Sequence, residues 1–403
     1  MKRITFVTLV CISLGTGHTR RVIAQTEIGD AAERASCHHE DNWVDVQTLD
    51  ADEPSARQAL AIHGDTLVTG GAGHVRVYQR SHEHSWTLIQ TLAPEAGVPV
   101  AAFGRGLALD AHTLIIGAGL EQPPSATVFP FGYSDVYRRH GQQWTFEARL
   151  QPDITPLNCG SAPYSSSFGE NIALDGNLAV VTANRMSLTP GGCGQGAAFV
   201  FQRFGTSWLQ VQVLSPPQVP ISNPPSGYPN FDTNFGDSMS LSGDTLVIGQ
   251  PGRGLTPPLQ GAIHVFVRAG SSFSLQQAFV APGVAYNTAD GLGTEVAVHG
   301  RTLVAVENGN LRTFVRHGAT WSARSEVPAT TPSVGSHALA RSADDLFVSG
   351  SGAIQVFEVQ SDGELALPTS LTVDGAQSSS ALAADHGTLA VAGDHGVHVL
   401  ERH

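Results

Sequence analysis

The sequence predicts an all-β protein: a seven-bladed β-propeller of four-stranded antiparallel blades, closed by the N-terminal strand completing the last blade. Three observations predict it. First, the unit Phe235-Gly-Asp-Ser-Met-Ser-Leu-Ser-Gly-Asp-Thr-Leu-Val-Ile-Gly249 recurs, most clearly from Phe103 and Phe168 and more weakly near Ala56, Gly291, Gly335 and Ser379. One leucine per copy marks its phase (Leu67, Leu114, Leu178, Leu246, Leu303, Leu346 and Leu389), and the last two steps are both 43 residues. A floor of that size with variable additions marks one supersecondary unit repeated with loop insertions. Second, short alternating runs rich in β-branched and aromatic residues favour strand over helix. Third, the last repeat stops before a fourth strand, whereas Trp43-Val-Asp-Val-Gln-Thr-Leu49, ahead of the first repeat, matches Trp86-Thr-Leu-Ile-Gln-Thr-Leu92.

Taken in order, Met1-Lys-Arg and the apolar run at 4–14 read as a secretory signal peptide over residues 1–24, too short to span a bilayer. Residues 25–42 are an unpatterned leader, and the propeller occupies 43–403. Each repeat opens with two strands joined by a tight turn such as Ser242-Gly-Asp-Thr245. A third strand follows: Val75–Tyr78, Ser134–Tyr137, Ala198–Phe201, Ile263–Phe266, Arg312–Val315, Ile354–Phe357 and Val397–Leu400. The fourth is expected to open at Trp86, Trp144, Trp208, Phe273, Trp321 and Leu365. Gly104, Gly169, Gly236 and Gly293 fall where the first strands crowd the axis and a side chain has least room. Pairing of residues 43–49 with Val397–Leu400 would remove an open edge.

With Phe-Gly opening three repeats and Leu246-Val-Ile-Gly-Gln-Pro251 closing a hairpin, residues 43–403 resemble the FG-GAP repeat family, which includes the integrin α-subunit N-terminal propeller and exported bacterial proteins. The resemblance implies extracellular interaction or adhesion. It does not carry over the calcium loops of integrin-type repeats: the turns here, such as Asp175-Gly-Asn and His299-Gly-Arg-Thr, are too short to supply six or more oxygens. No metal or other cofactor is expected.

Composition narrows the chemistry. A formal net charge of −13 argues against a sequence-blind grip on nucleic acid. Lys2 is the sole lysine, so the chain without its signal has no Schiff-base or phosphate-loop lysine. The preference for arginine reads as base composition. No nucleophile elbow, zincin motif or dinucleotide fingerprint is present. His63, His299 and His386 fill a turn position, His82-x-His84 lacks a third ligand, and Cys37-His-His-Glu-Asp41 lies in the leader.

Function is expected on one face. In a meander the 2–3 and 4–1 connections share the top, and the long insertions there (118–132, 152–166, 184–195, 217–233, 251–260 and 282–290) belong to blades two to four. They carry the candidate binding residues Phe129, Phe131, Tyr133, Tyr164, Tyr228 and Phe231. Cys159 and Cys193 are expected to form a disulfide across these loops, leaving Cys37 spare. The expectation is an exported, non-enzymatic, monomeric module for a protein or glycan partner. The alternative is a glycosidase-like hydrolase at the channel mouth, using Arg105, Glu170, Asp237 or Glu295.

Overall fold

The structure, a computed structural model, describes residues 43–50, 59–95, 102–119, 132–154, 167–188, 194–216, 234–252, 261–281, 291–328, 339–350, 353–376 and 381–402, apart from the single positions 72, 83, 187 and 344. The expected signal (1–24) and leader (25–42), Cys37, Cys159, Cys193 and the aromatics Phe129, Phe131, Tyr164, Tyr228 and Phe231 lie outside them.

Seven four-stranded antiparallel sheets follow one another, with strands paired in sequence order within each of the first six. The first strands of successive blades touch in a closed cycle, blade seven against blade one, so they line the axis. The blades span 59–92, 103–150, 172–214, 239–280, 296–328 and 339–372. The seventh combines Leu382–Asp385, Thr388–Gly393 and Gly396–Arg402 with Trp43–Leu49. In that closing pair Leu49 stands opposite Val397, Gln47 opposite Val399 and Asp45 opposite Leu400, as the sequence predicts. Trp43 and Phe347 of blade six pack perpendicular to each other at 5.3 Å between centroids, tying the donated strand to a neighbouring blade.

One element differs from expectation. The outer strand of blade six is Thr369–Thr372, not a strand opening at Leu365. The chain instead doubles back through a turn in which Gln360 N–H donates to the Glu364 carbonyl, and Leu365 bridges Val359. Pro368 immediately precedes the edge strand, outside its ladder, where a missing N–H removes no ladder bond.

The Phe-Gly signature has a packing cause. Phe103, Phe168 and Phe235 are fully buried between blades. Each is followed by a glycine with φ of +93°, +98° or +94°. A Cβ on Gly169 would lie 2.7 Å from the Tyr133 carbonyl, so only glycine fits both the angle and the space. Gly104 lies in the first strand as expected, whereas Gly169, Gly236 and Gly293 stand in the turn leading into it.

The blades are joined side to side by arginine. An arginine at the last or penultimate position of the third strand donates across the interface in six places: Arg80 to Glu401, Arg139 to Gln79, Arg203 to Glu147, Arg268 to Asp175, Arg316 to Thr245 and Arg402 to Asp345, with Arg203 bidentate at 2.8 and 2.7 Å. Arg341 reaches Thr302 at the remaining junction. The forked donor set explains part of the arginine preference that composition alone leaves to base bias.

Candidate functional site on the top inner rim

Four first strands, those of blades two to five, are entered through the same tight turn. In blades two to five the amide of the residue after the glycine closes it: Arg105 to the Ala102 carbonyl, Glu170 to Ser167, Asp237 to Asn234 and Thr294 to Gly291. This sets a charged side chain on the top inner rim in blades two, three and four. The next residue reaches sideways: Asn171 Nδ2 donates to the Gly236 and Asp237 carbonyls at 3.0 and 2.9 Å, and Ser238 Oγ donates to the Gly293 carbonyl at 2.8 Å. Glu295 holds that place in blade five.

Of the four residues assigned to the hydrolytic alternative, the structure sets all on this rim. Arg105 Nη1 is 4.0 Å from Glu170 Oε1. Burial pushes the Glu170 carboxyl up, opposed by the Arg185 and Arg105 guanidiniums. Asn184, at the end of the second strand of blade three, donates through Nδ2 to Asp237 Oδ1 at 2.8 Å. Glu295 keeps a fraction of its surface open, yet protein hems it in. Burial, reinforced by the Asp237 charge, pushes its carboxyl up to about 8. At neutral pH Glu295 is therefore mainly a neutral acid beside an ionised neighbour, a pairing that can bind polar ligands or move a proton.

Of the six aromatics, Tyr133 alone falls in the described residues. It opens the third strand of blade two and its side chain is fully buried, with the Arg149 guanidinium 4.4 Å above its ring. Arg149 also forks onto Asp135 at 2.6 and 2.9 Å. This unit fastens the third strand to the fourth.

The histidines divide as well. His264 is buried against Phe235 and donates from Nε2 to Gln250 Oε1 at 2.7 Å, and burial lowers its pKa to about 4. His84 pairs through Nδ1 with the buried Glu401 at 2.9 Å, while His82 is exposed. Among the described residues no group of three His, Cys, Asp or Glu side chains is placed to hold a metal ion. No helix there is long and apolar enough to cross a membrane.

Sequence reasoning missed Asn184 and Arg185. Both follow an apolar strand as ordinary turn residues, and only the interface with blade four brings Asn184 to Asp237. Compared with protein-family models and with curated proteins, the chain matches none.

Proposed function

We propose that the chain is an exported, FG-GAP-type binding module that takes its ligand on the top face of blades two to four and catalyses nothing. The observation that supports this reading is the placement of Arg105, Glu170, Arg185 and Asp237 on one rim, in the blades that also carry the long connections. A rigid ring holding polar groups beside extended loops is the usual arrangement of a recognition surface. The reading includes a Cys159–Cys193 bridge steadying those connections, checked by mass spectrometry of the unreduced, alkylated protein. A protein and glycan array probed with the mature chain tests the function. Binding lost on trimming residues 221–230 or on Asp237→Asn, with the propeller still folded, supports it.

The second reading, a hydrolase, rests on Glu295. A carboxyl held protonated near an ionised carboxylate is the equipment of a general acid. Turnover of chromogenic glycosides that disappears in Glu295→Gln would establish this reading and displace the first.

A further inference from the structure

The histidines are distributed unevenly between the two faces of the ring. On the face opposite the long connections, the turns joining first to second strands carry His63, His112, His299 and His386, all exposed. The turns joining third to fourth strands, or the strand ends beside them, carry His82, His84, His140 and His317, also exposed. Among the described residues the other face has His74, half-buried, and His395, while His264 and His398 are buried inside their blades. Imidazole is the side chain that gains charge between neutral and mildly acid pH. Acid therefore adds positive charge to one face and little to the other.

The neighbours of these imidazoles leave that charge standing. Most carboxylates on this face are already engaged by guanidiniums: Asp65 and Glu401 by Arg80, Glu147 by Arg203, Asp175 by Arg268 and Asp345 by Arg402. Asp65 shares a turn with His63. Glu401 also meets His84 at 2.9 Å, and Asp385 meets His386 at 2.5 Å. Asp110 accepts the His112 amide, and Asp244 lies 4.0 Å from Arg268. Next along the chain from His140, His299 and His317 the charged groups are cations, Arg139, Arg301 and Arg316. At neutral pH the pairs hold the face close to balance; in acid the imidazoles tip it positive.

Shape selects the partner. Every first hairpin turns in two or three residues, so this face is shallow and its histidines can meet a plane together. Phe204, 57% exposed, takes in blade three the place of His140 and His317 in blades two and five, and sets an aromatic ring at the edge of that plane. Third strands of up to eight residues separate the faces by roughly 25 Å, about three Debye lengths at physiological salt, so the acidic rim at Glu170 and Asp237 does not cancel the field. A compact ligand needs groups converging on one pocket, whereas charge spread over a plane with an apolar ring beside it suits an anionic lipid surface. We propose that this face docks on an anionic lipid surface at mildly acid pH and leaves it at neutral pH. The docking does not depend on the ligand assigned to the opposite face, and it turns that face outward.

The test is co-sedimentation of the mature full chain with vesicles of phosphatidylcholine, alone or mixed with phosphatidylserine. Binding to the anionic vesicles at about pH 5 is expected, about tenfold or more weaker at about pH 7.5 and absent on phosphatidylcholine alone. His63→Gln with His112→Gln, and separately His140→Gln with His317→Gln, should each weaken acid binding by about tenfold. His395→Gln, on the other face, should leave it unchanged. Melting curves establish that each variant is folded, and either pair serves should the other misfold. Binding that ignores pH, that is equal on both vesicles, that survives a folded pair of substitutions, or that His395→Gln weakens as much overturns the proposal. Capture at acid pH by a sulfated polysaccharide resin with no vesicle binding also overturns it, making the partner a soluble polyanion. No binding to either overturns it as well, and the array test of the opposite face is unaffected.

Discussion

Gln47 and Trp86 exchange two hydrogen bonds across the seam of the ring: Gln47 Nε2 donates to the Trp86 carbonyl at 2.9 Å, and the Trp86 amide donates to Gln47 Oε1 at 2.7 Å. The side chain acts as one residue of extra ladder between the outer strands of blades seven and one. The same clamp joins Gln90 to Trp144, Gln212 to Phe273 and Gln277 to Trp321. Between blades two and three Ala148 takes the Gln position, and Glu147 there accepts from Arg203 and from Trp208 Nε1. Removing a clamp strands a part-buried amide and a carbonyl. Gln90→Ala is expected to cost about 1–3 kcal/mol in urea melts, and Gln90→Glu, which cannot donate to the carbonyl, to recover only part of it.

The donated strand predicts a larger effect. Deleting residues 25–50 removes the Trp43 packing on Phe347, the Gln47 clamp and a whole ladder, and bares the edge of Gly396–Arg402. By comparison with truncation of buried aromatics, the loss should be at least about 3–5 kcal/mol, with aggregation from the exposed edge. Melting like the parent would mean the ring closes by another route.

Glu295 gives the stability a pH dependence with a definite sign. Its folded carboxyl titrates near 8, well above the ordinary carboxyl range. As pH rises from that range, the unfolded chain releases this proton first while the folded chain keeps it. Stability therefore falls through this interval, and the contribution is spent above pH 8. Chemical denaturation from pH 5 to 9 should show the decline, and Glu295→Gln should flatten it and be the more stable protein at pH 9.

Ala343 offers the opposite kind of test. It occupies the first-hairpin turn of blade six at φ +48°, where Gly64, Gly176, Gly243 and Gly300 serve other blades at +55° to +59°. An L-residue pays about 1 kcal/mol there that glycine avoids. Ala343→Gly should raise stability by roughly 0.5–1 kcal/mol despite the added unfolded-state entropy, read as a shift in urea midpoint at constant slope.

What the sequence made legible is what repeats. Val75–Tyr78 and its counterparts are recognisable as short runs rich in Val, Phe and Tyr that are largely buried, and Trp43–Leu49 because it copies the outer strand of blade one. The outer strand of blade six was misplaced because Leu365 imitates the aromatic that opens the others while its backbone turns away. The clamps were invisible because a glutamine on an exposed strand reads as solvent-facing. The rim was half legible. Arg105, Glu170 and Asp237 follow a visible Phe-Gly, but the Asn184 hydrogen bond to Asp237 exists only once two blades meet.

The proposed ligand binds the top inner rim, and not the outer strands, where Leu209 and Val211 are exposed apolar residues on blade three. Hydrogen exchange with and without the ligand identified by array separates the two. Added protection at residues 167–171, 184–186 and 234–238, with residues 207–214 unchanged, is the predicted result. Protection confined to 207–214, with the rim exchanging as in the free protein, would contradict it.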